Sequence, residues 1–264
     1  MPARAHASRV DVGTLLGLGL AAVGVVGGLL LEGGQLRDIT QYTAAVIVLG
    51  GTMGAVLIST PFRTTTAAAR RLAAVFFERS QAIETVVETV MHYAVKARKN
   101  GLVSLEQDAA GVQDPFLQKA LTLAVDGTDI QEIRQMLELH IANAEHQAES
   151  EARVFEAAGG FAPTIGIIGA VLGLIQVMKN LSDIDKVGHG IAVSFVATVY
   201  GVALANILLL PAANKIKARA RDDARVKEVI IEGVVAIVEG LNPKLIRSKL
   251  EAFLPPPPAP PGKA

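Results

Sequence analysis

Two hydroxyls, Ser194 and Thr198, stand four residues apart in an apolar run that also holds Tyr200 and Asn206, and Gln176 sits near the end of a second such run. A four-residue spacing puts both hydroxyls on one helix face, together with Val202 and Ala205. Such a face suits a weakly polar stripe along an ion path. It equally suits hydroxyls that bond back to carbonyls of their own helix, and periodicity leaves both readings open. Tyr200 and Gln176 read as interfacial or interhelical groups. No charged side chain lies between Phe161 and Met178 or between Ile191 and Ala213, so any ion chemistry here lacks a carboxylate of its own.

Other chemistry is sparse. Cys 0 removes thiol nucleophiles, disulfides and cysteine metal sites. The histidines His6, His92, His140, His146 and His189 show no paired metal spacing supported by acids within the apolar runs, and neither GxSxG nor a Walker A loop is present. No enzyme, metal or cofactor is expected. A net charge of +0, Trp 0 and 4% aromatic residues argue against nucleic-acid binding.

The segments carrying these groups are GGFAPTIGIIGAVLGLIQVM and GIAVSFVATVYGVALANILLLPA, within 159 to 213. Each is about 20 residues long, enough to cross the roughly 30 Å apolar core of a bilayer. Two further apolar runs, Val12 to Leu31 and Thr43 to Phe62, bring the expected spans to four. The first exceeds a signal-peptide core and reads as a retained anchor. With 51% hydrophobic and 19% charged residues and a mean hydropathy of +0.41, a mixed membrane and soluble protein is expected. An even number of spans puts both termini on one side. Arg4, Arg9, Arg63, Arg70, Arg71, Lys215, Lys217, Arg219 and Arg221 mark that side as cytoplasmic, leaving 32 to 42 and 179 to 189 as short external loops.

Gly166, Gly169, Ala170 and Gly173 follow a spacing of three and four, a nearly flat face that admits a neighbouring backbone. Residues 63 to 158 are amphipathic. Ile83, Val86, Val87, Val90, Met91, Ala94 and Val95 form one helix face, ending at a left-handed cap at Asn100 and Gly101. Capping boxes are predicted at Ser104 with Gln107 and at Thr128 with Gln131, the second ahead of the face Ile130, Ile133, Leu137 and Ile141. The fold class is therefore all-α: four transmembrane helices with a helical cytoplasmic domain between the second and third. Its expected parts are 1–62 (tail and spans one and two), 63–158 (cytoplasmic helices), 159–213 (spans three and four), 214–254 (a cytoplasmic helical extension) and a Pro-rich tail at 255–264 of polyproline character.

The turn after the amphipathic helix presents Arg98 and Lys99, then Glu106 and Asp108. These charges complement helix dipoles, and they also form a bipolar surface fit for a reversible protein contact. Pro163 near the predicted start of span three and Pro211 at the predicted end of span four read as local helix punctuation or as hinges.

The runs AGGFAPTIGIIGAVLGLI at 158–175, NLSD at 180–183, GHGIA at 188–192, FVATVYGVALAN at 195–206 and ALTLAVDGTD at 120–129 resemble the MotA family of flagellar-motor stator subunits. The likeness covers most of the chain and is weakest in span one. The related ExbB and TolQ proteins have three spans. The resemblance implies an ion-conducting stator subunit in the bacterial cytoplasmic membrane, a homo-oligomer of five copies around two MotB-type subunits that carry the ionisable aspartate. It implies an ion pathway at Thr198, Ala170, Ala197 and Ser194, hinges at Pro163 and Pro211, and contact with the rotor protein FliG through Arg98, Lys99 and Glu106. Gln107 departs from the family, where an acid often stands, and Asp108 is a shifted substitute. Sodium-type relatives carry threonine where Ala170 and Ala197 stand, so the implied ion is H+. A sodium-driven stator and an ExbB/TolQ-like energy-transducing scaffold are the alternatives.

Overall fold

The computed structural model describes residues 9–75, 77–78 and 82–254. Arg4, His6 and the tail at 255–264 lie outside them. The regular secondary structure of the described residues is helical apart from a two-residue antiparallel pairing of β1 (Arg9–Val10) with β2 (Phe77–Glu78). The helices are α1 (Val12–Leu31), α2 (Tyr42–Ser59), α3 (Phe62–Val75), α4 (Ile83–Asn100), α5 (Glu106–Gly111), α6 (Pro115–Val125), α7 (Ile130–Lys179), α8 (Ile184–Ala203), α9 (Leu210–Val238) and α10 (Pro243–Glu251). Four stretches are long and apolar enough to cross a membrane: Val12–Leu31, Leu36–Ser59, and parts of Ile130–Lys179 and Ile184–Val238.

The chain forms two compact units, 1–79 with 147–218, and 80–146 with 219–264. These divisions differ from the expected ones at 62, 158 and 213; α7 and α9 run through 158 and 213 without a break, and α3 stays with the first two helices. In particular, Pro163 is not near a helix start. It lies inside the 50-residue α7, where it removes the donor for the Gly159 carbonyl. Nor does Pro211 end its helix. A π-helical turn at Leu204–Leu209 precedes it, Leu210 donating to the Ala205 carbonyl five residues back, and α9 then continues to Val238. The slack of the π turn accommodates a residue that cannot donate.

In the unit of α1, α2, α3 and α8, small residues do the packing. Ala44 and Val48 of α2 meet Val196 and Ala197 of α8. The α7–α8 seam is a backbone approach: a Cβ on Gly166 would lie 2.8 Å from the Ala197 carbonyl oxygen, and one on Gly173 would lie 2.7 Å from that of Gly190 and run into the Ser194 hydroxyl. Glycine is required at such positions, and dispersion between close backbones holds the helices where lipid removes the hydrophobic drive.

The other unit has an ordinary aliphatic core. Val90 of α4, Leu121 of α6, Leu137 of α7, Ile230 and Val234 of α9 and Leu250 of α10 are fully buried together. Each contributes roughly 1.5–3 kcal/mol of transfer free energy. The face predicted for α4 is buried from Val86 to Ala94 but excludes Val95, which is 54% exposed. Gly101 ends α4 at φ +82° with an extended ψ of 163°, a glycine conformation but not a left-handed helical one. Both predicted capping boxes are displaced. Ser104 lies in a 3-10 turn at Leu102–Leu105 and donates to the Gly101 carbonyl, while Asp129, not Thr128, accepts from the Gln131 N–H at the start of α7. Thr128 instead closes α6: its N–H reaches the Leu123 carbonyl across Gly127 at φ +72°.

Candidate functional site

On α8 the side chains sort into three faces. Val196, Ala197 and Tyr200 turn to α2, and Gly190, Ser194 and Gly201 turn to α7. Ile191, Phe195, Val199 and Val202 are exposed, and Thr198, half-buried, lies at the edge of that free face. On α7 the matching free side, on the opposite flank of the seam from α2, carries Pro163, Ile167, Ala170 and Leu174. In the single chain the hairpin therefore leaves an apolar face exposed beside the seam, with Ala170 and Thr198 half-buried on either side of it.

Of the four expected ion-path residues, the structure brings Ala170 and Thr198 to this face and withholds two. Ala197 has 0% exposure and lies in the small cluster with Ala44 and Val48. Ser194 is buried, and its hydroxyl lies 2.8 Å from the Ala170 carbonyl oxygen and 2.9 Å from that of Gly190. One proton serves both acceptors, so Ser194 clasps the seam, and burial keeps its oxygen away from the free face. Thr198 reaches the Ser194 carbonyl at 3.3 Å, a long bond that leaves its oxygen able to accept. Asn206 is exposed, its amide returned to the Val202 carbonyl.

Tyr200 is more than an interfacial group. Its hydroxyl donates to the Ile39 carbonyl and accepts from the Gln41 N–H at 3.3 Å, tying the α1–α2 connection to α8. Two residues from Thr198, it sits on nearly the opposite side of the helix, so holding Tyr200 to α2 turns Thr198 outward. Nothing in the sequence pairs residues 161 positions apart, and the signal was only a tyrosine within an apolar run.

Beyond the uncharged stretches, long-range ion pairs bind the helices. Arg71 of α3 meets the buried Glu151 of α7 at 2.8 Å, with Gln147 donating to the same carboxylate at 3.0 Å. Lys217 of α9 meets Glu156 of α7 at 2.8 Å, and Lys215 pairs with Asp11, the cap of α1, while bonding Thr14 at 2.8 Å. A groove of about 390 Å³ opens beside Pro211, lined by Thr14 and Gly17 of α1, Leu72 of α3, and Asn206 and Lys215.

In the second unit, Arg98, Lys99 and Glu106 are exposed. Arg98 already spends one N–H on the Gly240 carbonyl at 3.0 Å, just past the end of α9. Asp108, the shifted acid beside Gln107, is half-buried and pairs with Lys96 at 2.7 Å. The surrounding clamps are ionic. Arg247 of α10 grips Glu88 of α4 through both carboxylate oxygens, at 2.7 and 3.0 Å, and this bonding holds the Glu88 carboxyl below its ordinary value. Glu232 of α9 lies between Arg134 and Lys249 and is likewise held low, first by its hydrogen bond from Arg134. Burial pushes the Tyr93 hydroxyl up.

Comparison with known proteins accounts for this architecture. Residues 108–229 match the MotA/TolQ/ExbB proton channel family, and residues 15–101 match the motility protein A N-terminal region. Motility protein A of Bacillus subtilis is 34% identical over 247 residues, covering 93% of this chain and 92% of that protein. The solved MotAB of C. jejuni matches with a TM-score of 0.89 at 31% identity, covering 94% of this chain and 97% of that one. The flagellar MotAB stator complex of Bacillus subtilis matches with a TM-score of 0.85 at 35% identity, over 91% and 95% of the two chains.

Proposed function

This chain belongs to the MotA/TolQ/ExbB proton channel family and is a stator subunit of the flagellar motor, and we propose that its free α7–α8 face is one wall of a proton path. It is a multi-pass membrane protein. The observation that carries the proposal is the face itself: apolar, without an ionisable group across the membrane core, and bearing Thr198 opposite Ala170. A carboxylate in hydrocarbon is costly unless it faces a bundle interior or wetted cavity. The face supplies such a cavity for the aspartate of a MotB-type transmembrane partner.

Five copies around two partner subunits close the wall into a ring, and proton passage turns that ring. Lys99 and Glu106, with Arg98 beside them, face the rotor protein FliG. The distribution of arginine and lysine supports placing both termini on the cytoplasmic side of the bacterial inner membrane. The choice of H+ over Na+ rests on Ala170, which offers no oxygen to a dehydrating sodium ion. Ala197 adds nothing to that argument, since its methyl is enclosed within one chain.

Co-expression with a MotB-type partner and flux measurement in vesicles tests the reading. Proton flux driven by voltage, reduced by Thr198→Val with assembly intact, is the expected result. Sodium flux without proton flux overturns the ion assignment, and no flux at all favours an energy-transducing scaffold.

A further inference from the structure

Resting on the proton reading, we propose that Glu156, held by Lys217, is the exit station at which protons leave the path for the cytoplasm. The placement comes from helix geometry. Glu156, Pro163 and Ala170 follow one another at seven-residue steps, and an ideal helix drifts only about 20° per such step. Glu156 therefore lies directly below the free face of α7, beneath the exposed Gly160 and Ile167.

The other helix arrives at the same point through its π turn. Lys217 follows Thr198 by 19 residues, one more than five α-helical turns. The i−5 bond from Leu210 to Ala205 absorbs the extra residue, bringing Lys217 under Thr198. There its ammonium meets Glu156 at 2.8 Å. The neighbouring Lys215 is turned away to Asp11 and Thr14 of α1, and Glu151 is turned away to Arg71 and Gln147. Arg153 pairs with Glu149. Glu156 and Lys217 are thus the first charges that the free face reaches below the uncharged stretches, and their side chains, 38% and 28% exposed, meet water.

The level of Ala170 lies 14 residues above Glu156, about 21 Å along the axis, so a proton crosses that distance on water along the free face. At the end, hydronium gives its proton to a Glu156 carboxylate oxygen; an O–H bond forms and water is left. Lys217 remains an ammonium and keeps its bond to the carboxyl group. The O–H proton then passes to bulk water, which becomes hydronium, and the carboxylate is restored.

The test uses the full complex with its MotB-type partner in vesicles, comparing wild type, Glu156→Gln and Glu156→Asp for proton flux and for yield of co-purified complex. Glutamine keeps the shape and an acceptor for Lys217 but binds no proton, while aspartate keeps the titratable group. The expected result is a loss of at least about tenfold in flux for Glu156→Gln at unchanged yield, less than the roughly 10²–10⁴-fold of general acid–base catalysis because water stays present, with Glu156→Asp within about threefold of wild type. Wild-type flux from Glu156→Gln overturns the proposal, as do equal losses in both variants accompanied by falling yield, which mark a structural pair. A wild-type complex that carries sodium and no protons overturns the proton reading, and this proposal with it.

Discussion

The hydroxyl of Ser194 on α8 lies 2.8 Å from the backbone carbonyl of Ala170 on α7, across a seam where Gly173 leaves no side chain between the two helices. The hydroxyl and the missing Cβ are two halves of one contact. Its consequence is that Ser194 serves packing while Thr198, one turn on, serves the free face.

Gly173→Ala and Ser194→Ala should therefore differ in a direction opposite to their chemistry. The added methyl meets the Gly190 carbonyl and the Ser194 hydroxyl and costs roughly 1–3 kcal/mol of overpacking. Removing the hydroxyl costs about 0.6 kcal/mol, and at most about 1.7. Yield of assembled complex and thermal stability in detergent should drop for Gly173→Ala and stay near wild type for Ser194→Ala, with flux in the latter unchanged.

Pro211→Ala restores the N–H whose absence the π turn accommodates. With a donor available, the ladder can return to i−4 bonds. That return removes the extra residue and rotates Lys217 by about 100° relative to Thr198. The expected outcome is a complex that assembles but swims slowly, with an amide-exchange change confined to residues 204–212. Normal swimming would show that the π turn carries no function.

Arg98→Glu should reduce torque for two reasons that can be separated. Reversal places an anion beside the Gly240 carbonyl and the C-terminal end of α9, costing roughly 0.3–1 kcal/mol. Lys99→Glu leaves that bond in place. If the charges act on the rotor, a compensating reversal on FliG should restore torque more fully to Lys99→Glu than to Arg98→Glu, measured as bead rotation speed.

Acid stability follows from Glu232. Its carboxyl is held below the ordinary value of 4.5 in the folded state, first by the Arg134 hydrogen bond. A depressed pKa means that the folded state binds fewer protons, so this stabilisation is present above the ordinary carboxylate value and is lost as pH falls through the folded value. Glu232→Gln should melt lower at neutral pH by about 1 kcal/mol, a few degrees, and the gap should close as pH falls below the ordinary carboxylate range. A melting difference that is independent of pH would mean that packing, not charge, explains Glu232.

Much of this molecule is legible in its residues. Runs without charge must be satisfied in lipid, so four apolar stretches were visible as helices from composition alone. The amphipathic faces of α4 and α7 followed from spacing, because burial repeats with the helix turn. The flat glycine face of α7 was legible for the same reason, since a missing Cβ is a local fact.

What waited for the tertiary structure is everything set by rotation about a helix axis and by partners far apart in the chain. Spacing placed Ser194 and Thr198 together, but Tyr200 bonded to the α1–α2 connection and Ser194 bonded to α7 decide which of the two hydroxyls turns to the free face. Pro163 and Pro211 resembled helix ends because proline opposes helix locally, yet both lie in helices that continue. The packing of the long helices outweighs a single lost bond. Glu156 and Lys217, 61 residues apart, became a pair only because a π turn shifted one helix by a residue, a displacement that no local pattern records.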